Sequence, residues 1–417
     1  MKRIAHKLVA ASAWLAITGC GGSDGAPAVD ALTGPIAAVV PTPSPTQTSS
    51  ADSSTGSLSI ASASLEGGSA LHAAFSIQNG LQPSWGTGAI PGLYNQYEGA
   101  FRFTCGGAIK VVNDDPLVYP NEPGKSHLHQ PWGNASFDAS TTSASLSKSA
   151  ETDCNDTPYS LNRSAYWMPA LINDQGQAIH PDLVSVYYKR KTSTSPFCTQ
   201  NSGSTMGICI GLPNQIRFVF GWNMNDPTAP VQGASWYCTK GDGKHYGDLD
   251  ALFNSGCVAG AQIIANTIAP NCWDGKHLDV ADHRSHMAYG SYGSWGYYRC
   301  PADHPYVIPQ EENKATFTVT DDMIGTNPDG THFSRIRLSS DAMLAGAKPG
   351  QTLHADYIES WVAEAKDLWL ANCIEKALDC SGGDLGNGQQ LIGAAKPSYG
   401  WINPHPREAV PAAPSAG

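Results

Sequence analysis

Ten cysteines punctuate the body of this 417-residue chain: Cys105, Cys154, Cys198, Cys209, Cys238, Cys257, Cys272, Cys300, Cys373 and Cys380. The chain opens on what reads as an export leader, and an even set of cysteines in an exported protein is a disulfide framework. Such crosslinks allow a fold of many short elements joined by long loops. The connectivity stays open, since spacing does not choose among the pairings; sequential pairing (105–154, 198–209, 238–257, 272–300, 373–380) is the simplest. No two cysteines have CxxC spacing. This argues against a thiolate zinc site and a thioredoxin-like redox function.

Lys2, Arg3 and Lys7 precede a short apolar run, Leu8 to Thr18, which ends in Ile17-Thr18-Gly19-Cys20. This is the pattern of a bacterial lipoprotein leader: residues 1–19 are removed and Cys20 is acylated. The plainer alternative is an ordinary cleaved signal with an incidental cysteine. Gly21-Gly22-Ser23 suits a flexible tether, and Gly rather than Asp after Cys20 suits delivery to the outer membrane of a Gram-negative cell. The expected protein is periplasmic or surface-exposed, and is held to the membrane by lipid alone without spanning it. Losing three basic and no acidic residues takes the formal charge from −11 to −14. An acidic chain lacks the basic face that displaces counterions, so nucleic acid is excluded as a general partner.

Residues 20–74 are rich in Ser, Thr, Ala, Gly and Pro and read as a linker behind the lipidated cysteine. One disulfide-stabilised globular domain is expected over 75–402, and a disordered Pro/Ala-rich tail over 403–417. Leu183–Lys189, Gln215–Phe220 and Lys314–Thr320 alternate apolar with polar residues, as half-buried strands do. The expected fold is mainly β, a sandwich or jelly-roll-like scaffold with long loops. One stretch differs. Ile358, Trp361, Val362, Ala365, Leu368, Trp369 and Cys373 recur at helical spacing, which predicts one long C-terminal amphipathic helix from about Asp356 to Leu378.

Three polar segments carry candidate chemistry. Ser126-His-Leu-His129 places His127 and His129 two apart, on one side of an extended strand. Cys272 to His286 holds Asp274, His277, Asp279, Asp282, His283, Arg284 and His286. Leu353-His-Ala-Asp-Tyr357 adds His354 and Asp356. Six of the 13 histidines lie in these segments. Singly, each has an ordinary reading as a turn, a cap or a structural histidine. Together they have the ligand types of a divalent metal or an acid–base centre. His127 or His129 is the expected base. Arg284 is the electrophile, or a metal held by His283, His286 and His354 with Asp274 or Asp282. Asp282 and Asp356 are the competing carboxylate pair. Asn134, Arg163, Tyr166, Trp132, Tyr292 and Trp295 are the expected substrate contacts, the last two in an aromatic Gly/Ser-rich loop that could equally be packing. HExxH and GxxxxGK[ST] are absent.

The same segments resemble the domain-of-unknown-function family numbered nineteen ninety-six. The resemblance rests on Asp114-Asp-Pro-Leu-Val-Tyr119, Gly124-Lys-Ser-His-Leu-His129, Gly133-Asn134 and Asn162-Arg-Ser-Ala-Tyr-Trp-Met-Pro-Ala170. It continues through Cys272-Trp-Asp-Gly-Lys276, Asp282-His-Arg-Ser-His-Met287, His304-Pro305, Leu338-Ser-Ser-Asp341 and Leu353-His-Ala-Asp-Tyr357. The chain departs from the pattern at Pro131-Trp132 and around Ala108-Ile-Lys110. Members of that family are secreted fungal and bacterial proteins, some beside carbohydrate-binding WSC modules, so the resemblance implies an extracellular, carbohydrate-related role. The expectation is a lyase or hydrolase of an extracellular polysaccharide. Its rival is a non-catalytic glycan-binding or adhesion lipoprotein whose histidines form a structural site.

Overall fold

Leu183 to Lys191 alternates buried Val184, Val186 and Tyr188 with half-buried neighbours, the two-residue period of a strand with one face on the core. In this computed structural model, which describes residues 67–86, 97–107, 110–154, 158–198, 205–293, 297–392 and 407–409, that segment is the fourth of ten strands in two sheets. They are β1 (Glu98–Cys105), β2 (His129–Gly133), β3 (Ala165–Pro169), β4 (Leu183–Lys191) and β5 (Arg217–Gly221). They continue with β6 (Ala234–Cys238), β7 (Gln262–Ile268), β8 (Gln310–Thr318), β9 (His354–Ile358) and β10 (Asp379–Cys380).

The larger sheet has the order β6-β7-β8-β4-β1-β10 and the smaller β2-β3-β9-β5. All neighbours are antiparallel except β1 and β10. Register sets what each sheet buries. Pairing Phe101 with Tyr188 and Phe103 with Val186 puts these side chains on one face. A one-residue slip of β4 would turn Tyr188 away from the core. The smaller sheet contributes Tyr166, Phe218 and Tyr357 to the same core, and the Tyr188 hydroxyl bonds those of Tyr166 and Tyr357 at 2.8 and 3.0 Å. The other face of the smaller sheet is covered as well: Trp167, Val219 and Ile358 pack with Leu117, Phe137 and Leu146.

The molecule is mainly β, and all five disulfides follow the sequential pairing. The long C-terminal helix is corrected. His354–Ile358 is strand β9, and the helix, α1 (Ala363–Trp369), continues only through a π-helical stretch, Leu370–Ile374. Every residue of β9 is buried, so neither a two-residue nor a 3.6-residue period shows in its sequence. The aromatic stripe of the real helix does pack inward, with Trp369 stacked on Phe101 at 5.3 Å.

Residues 67–74, read as linker, include two that bridge to the body: Gly67 to Asn214 and Leu71 to Val362. Arg407–Ala409, in the expected tail, pairs with Gln177–Ile179. The leader and Cys20 lie outside the described residues. Among those described, no helix is long and apolar enough to cross a membrane.

Candidate functional site

His354 and Asp356 are two residues apart on β9, so both project from the sheet face opposite the tyrosine core. Strand β3 joins this face to β2, because Trp167 stands in register between Asp356 and Pro131. His129 opens β2. Its backbone bonds Val112 in both directions, at 2.7 and 3.1 Å, and this draws the loop carrying Asp114 and Asp115 over the face. His127 arrives from the end of that loop. The ring centroids of His127 lie 4.1 Å from His129 and 5.1 Å from His354.

The hydrogen bonds fix two of the three rings. His129 Nδ1 lies 3.0 Å from the Asp114 carbonyl, and His354 Nδ1 lies 2.8 Å from the Thr352 carbonyl. A carbonyl only accepts, so each Nδ1 carries the proton and each Nε2 keeps its lone pair. The Nε2 atoms of His127, His129 and His354 are all buried without a hydrogen-bond partner. One ring nitrogen from each of the three lies within 4.8 Å of the others.

Burial holds these rings neutral. It lowers His127 well below the usual imidazole range, and charge on His129 and His354 would lower it further. It takes His354 down to about 3 and also lowers His129, where Asp115 opposes it. Both oxygens of Asp356 are buried without a partner. Burial pushes this carboxyl well up; Asp115 adds to the effect and Arg284 opposes it. Arg284 is tied to the Trp222 carbonyl at 2.7 Å and to that of Gly221 at 3.4 Å. Gly221 stands opposite His354 in register at φ +89°, where a Cβ would come within 2.7 Å of the His354 Cα. Glycine is needed there because the two backbones touch.

The metal ligands expected from the sequence are corrected: of His283, His286, His354 and Asp274, only His354 reaches the cluster. Residues 272–288 belong to a separate small sheet, crosslinked by Cys272–Cys300, and local bonds use the polar groups there. Asp274 accepts from the Lys276 and His277 amides and pairs with the His277 ring. His283, in a left-handed turn at φ +54°, pairs with Asp279 at 2.7 Å. His286 Nε2 lies 3.1 Å from the Arg217 carbonyl. Asp282 is exposed, and its Oδ1 accepts from the Arg284 and Ser285 amides in a turn. That turn sets Arg284 but takes Asp282 out of a carboxylate pair with the fully buried Asp356.

Four expected substrate contacts are structural. Asn134 is fully buried; its Nδ2 donates to the Leu146, Ser149 and Arg163 carbonyls and its Oδ1 accepts from Ser136. Arg163 donates to the Ser160 and Ser147 carbonyls. Trp132 stacks on Tyr166 inside the main core. Tyr292 is open, at 68% exposure. Trp295 lies outside the described residues.

Sequence reasoning assigned no role to two neighbours of the centre. Asp115, held by the Leu117 and Val118 amides at 2.9 Å, acts electrostatically on His129 and Asp356. Its Asp-Asp-Pro context was the available signal. Trp222, 6.1 Å from His354, carried none.

Residues 115–361 match the model of a family described as a domain of unknown function, DUF1996. No curated protein and no solved structure matches the chain.

Proposed function

We propose that this chain, which belongs to the DUF1996 family, is a carbohydrate-active enzyme cleaving an extracellular polysaccharide at the His127, His129, His354, Asp356 and Arg284 centre. The observation that carries the reading is that three buried imidazoles, each with a partnerless Nε2, bring one ring nitrogen apiece within 4.8 Å of the others, on a strand face that also holds a buried carboxylate whose oxygens have no protein partner. Structural histidines and carboxylates normally satisfy such atoms, and groups left unmet in this way cluster at sites of chemistry.

The geometry divides the labour differently from the sequence-based expectation. Converging lone pairs suit a bound cation on the electrophilic side, so the base passes from His127 or His129 to Asp356. Burial holds Asp356 protonated, and positive charge beside it, Arg284 included, must ionise it before it accepts a proton. Arg284 also neutralises developing negative charge. In β-elimination at a uronic acid, the base removes the proton beside the sugar carboxylate while the charge on that carboxylate is stabilised. Hydrolysis by Asp282 and Asp356 loses ground because Asp282 is engaged in its turn. His127 is the least buried of the three histidines. Tyr292 offers a flat ring for sugar stacking.

The leader, Cys20 acylation and outer-membrane placement belong to the same reading, as does a sandwich-like arrangement of the two main sheets around their shared core. One observation favours the rival, a non-catalytic glycan-binding module: His129, His354 and Asp356 are each fully buried, as in a structural site. A polysaccharide panel separates the two. Reducing ends and unsaturated uronate absorbance should appear with the native chain and vanish in Asp356→Asn, while His283→Ala stays active. Binding without turnover on every polymer overturns the enzymatic reading.

A further inference from the structure

We propose that His127, His129 and His354 form an all-imidazole site for a divalent transition metal of the zinc class, leaving one coordination position open. This deepens the cleavage reading by naming its electrophile and rests on the same centre.

The argument is one of counting donors and acceptors. A neutral imidazole has one N–H. His129 and His354 place theirs on the Asp114 and Thr352 carbonyls, so their Nε2 atoms only accept. His127, whose tautomer no hydrogen bond fixes, adds a third buried Nε2 without a partner, and one ring nitrogen of each residue lies within 4.8 Å of the others. With the His127 proton on Nδ1, a water molecule has two protons for three acceptors and leaves one unmet. A metal cation satisfies every lone pair at once.

The contacts behind the rings agree. Metal-binding histidines characteristically donate their other ring N–H to a carbonyl or carboxylate, which fixes both tautomer and orientation. His129 and His354 both do so. The donor set also selects the ion. Three imidazoles and no carboxylate in the group suit zinc, copper, nickel or iron rather than magnesium or calcium. With metal–nitrogen bonds of ~2.0–2.1 Å, tetrahedral ligand atoms lie about 3.3 Å apart. The 4.8 Å envelope therefore closes on an ion by a small shift of His127, the least buried of the three. Three protein ligands with a fourth position left open is the catalytic rather than the structural pattern. Asp356 lies outside the ligand group, two residues from His354 on the same strand face.

The other close grouping among the described residues, Cys105, Asp153 and Cys154, has its sulfurs joined in a disulfide and offers no thiolate.

The test uses the full chain, stripped with chelator and titrated with Zn²⁺ or Co²⁺ by calorimetry, with elemental analysis of the product. One ion per chain is expected, with intense visible Co²⁺ bands of low coordination number and a raised melting temperature. His129→Ala and His354→Ala should lose affinity by more than the ~10–100-fold of a change outside the ligands, while His283→Ala binds as the native chain does. If either ligand variant does not fold, the native stoichiometry and Co²⁺ spectrum decide. No ion taken up, or binding that survives both ligand variants, overturns the site. The polysaccharide panel is scored separately: a metal-loaded but inactive chain ends only the cleavage reading, and an active chain that binds no ion ends only this one.

Discussion

Glu311 on β8 is buried at 1% exposure; its Oε1 accepts from Asn313 Nδ2 at 2.8 Å and its Oε2 has no partner. Burial raises this carboxyl from 4.5 to about 8, against the Asn313 bond that opposes the shift. The charged groups and phenols that feel it are Tyr166, Tyr188 and Tyr357 in the shared core, and Asp356 beyond them. Between those two pKa values the folded chain holds a proton that the unfolded chain has released. Stability therefore falls as pH rises, by up to about 1.4 kcal/mol per unit from this one group. From pH 5 to pH 7 the loss integrates to about 2.5 kcal/mol. Glu311→Gln removes the titration and keeps the acceptor for Asn313. Its new amide hydrogens find no partner, at a cost of about 1–2 kcal/mol that is the same at both pH values. Urea unfolding of both chains at pH 5 and pH 7 measures the difference of differences, in which Asp153, itself raised to about 8, cancels. The native chain should lose about 2.5 kcal/mol more than the variant over this interval. Equal losses would mean that Glu311 is ionised in the folded protein and that its burial does not govern its charge.

Two further substitutions separate scaffold from site. Asn134→Ala leaves the Leu146, Ser149 and Arg163 carbonyls without their donor, and should cost about 3 kcal/mol or more in thermal or urea unfolding; an unchanged melting temperature with weakened substrate binding would restore Asn134 as a substrate contact. Replacing Cys238 and Cys257 by Ser opens a loop of sequence separation 19 and should lower stability by about 3 kcal/mol, read from the urea midpoint at constant m.

The density of titratable residues between Cys272 and His286 made that stretch look like the centre, yet density is not convergence. Asp274, Asp279 and Asp282 each bond partners within four residues, the ordinary work of carboxylates in turns. Arg284 alone reaches the centre from there. The His127–His129 spacing was informative because two side chains two apart on an extended backbone share a side whatever the rest of the chain does. Nothing local joined them to His354. That meeting depends on β2 and β9 both pairing with β3, and on a register that aligns Pro131, Trp167 and Asp356.

What the amino-acid order by itself determined is short-range or covalent. Alternation announced β4, β5 and β8, and the even cysteine count announced five crosslinks. It could not reveal that His354–Ile358 is a strand, because burial on both faces erases the period that distinguishes strand from helix. Tertiary structure alone decided which imidazoles meet and which lone pairs are left unmet. Those outcomes depend on how distant strands are brought into register, and no stretch of neighbouring residues contains that information.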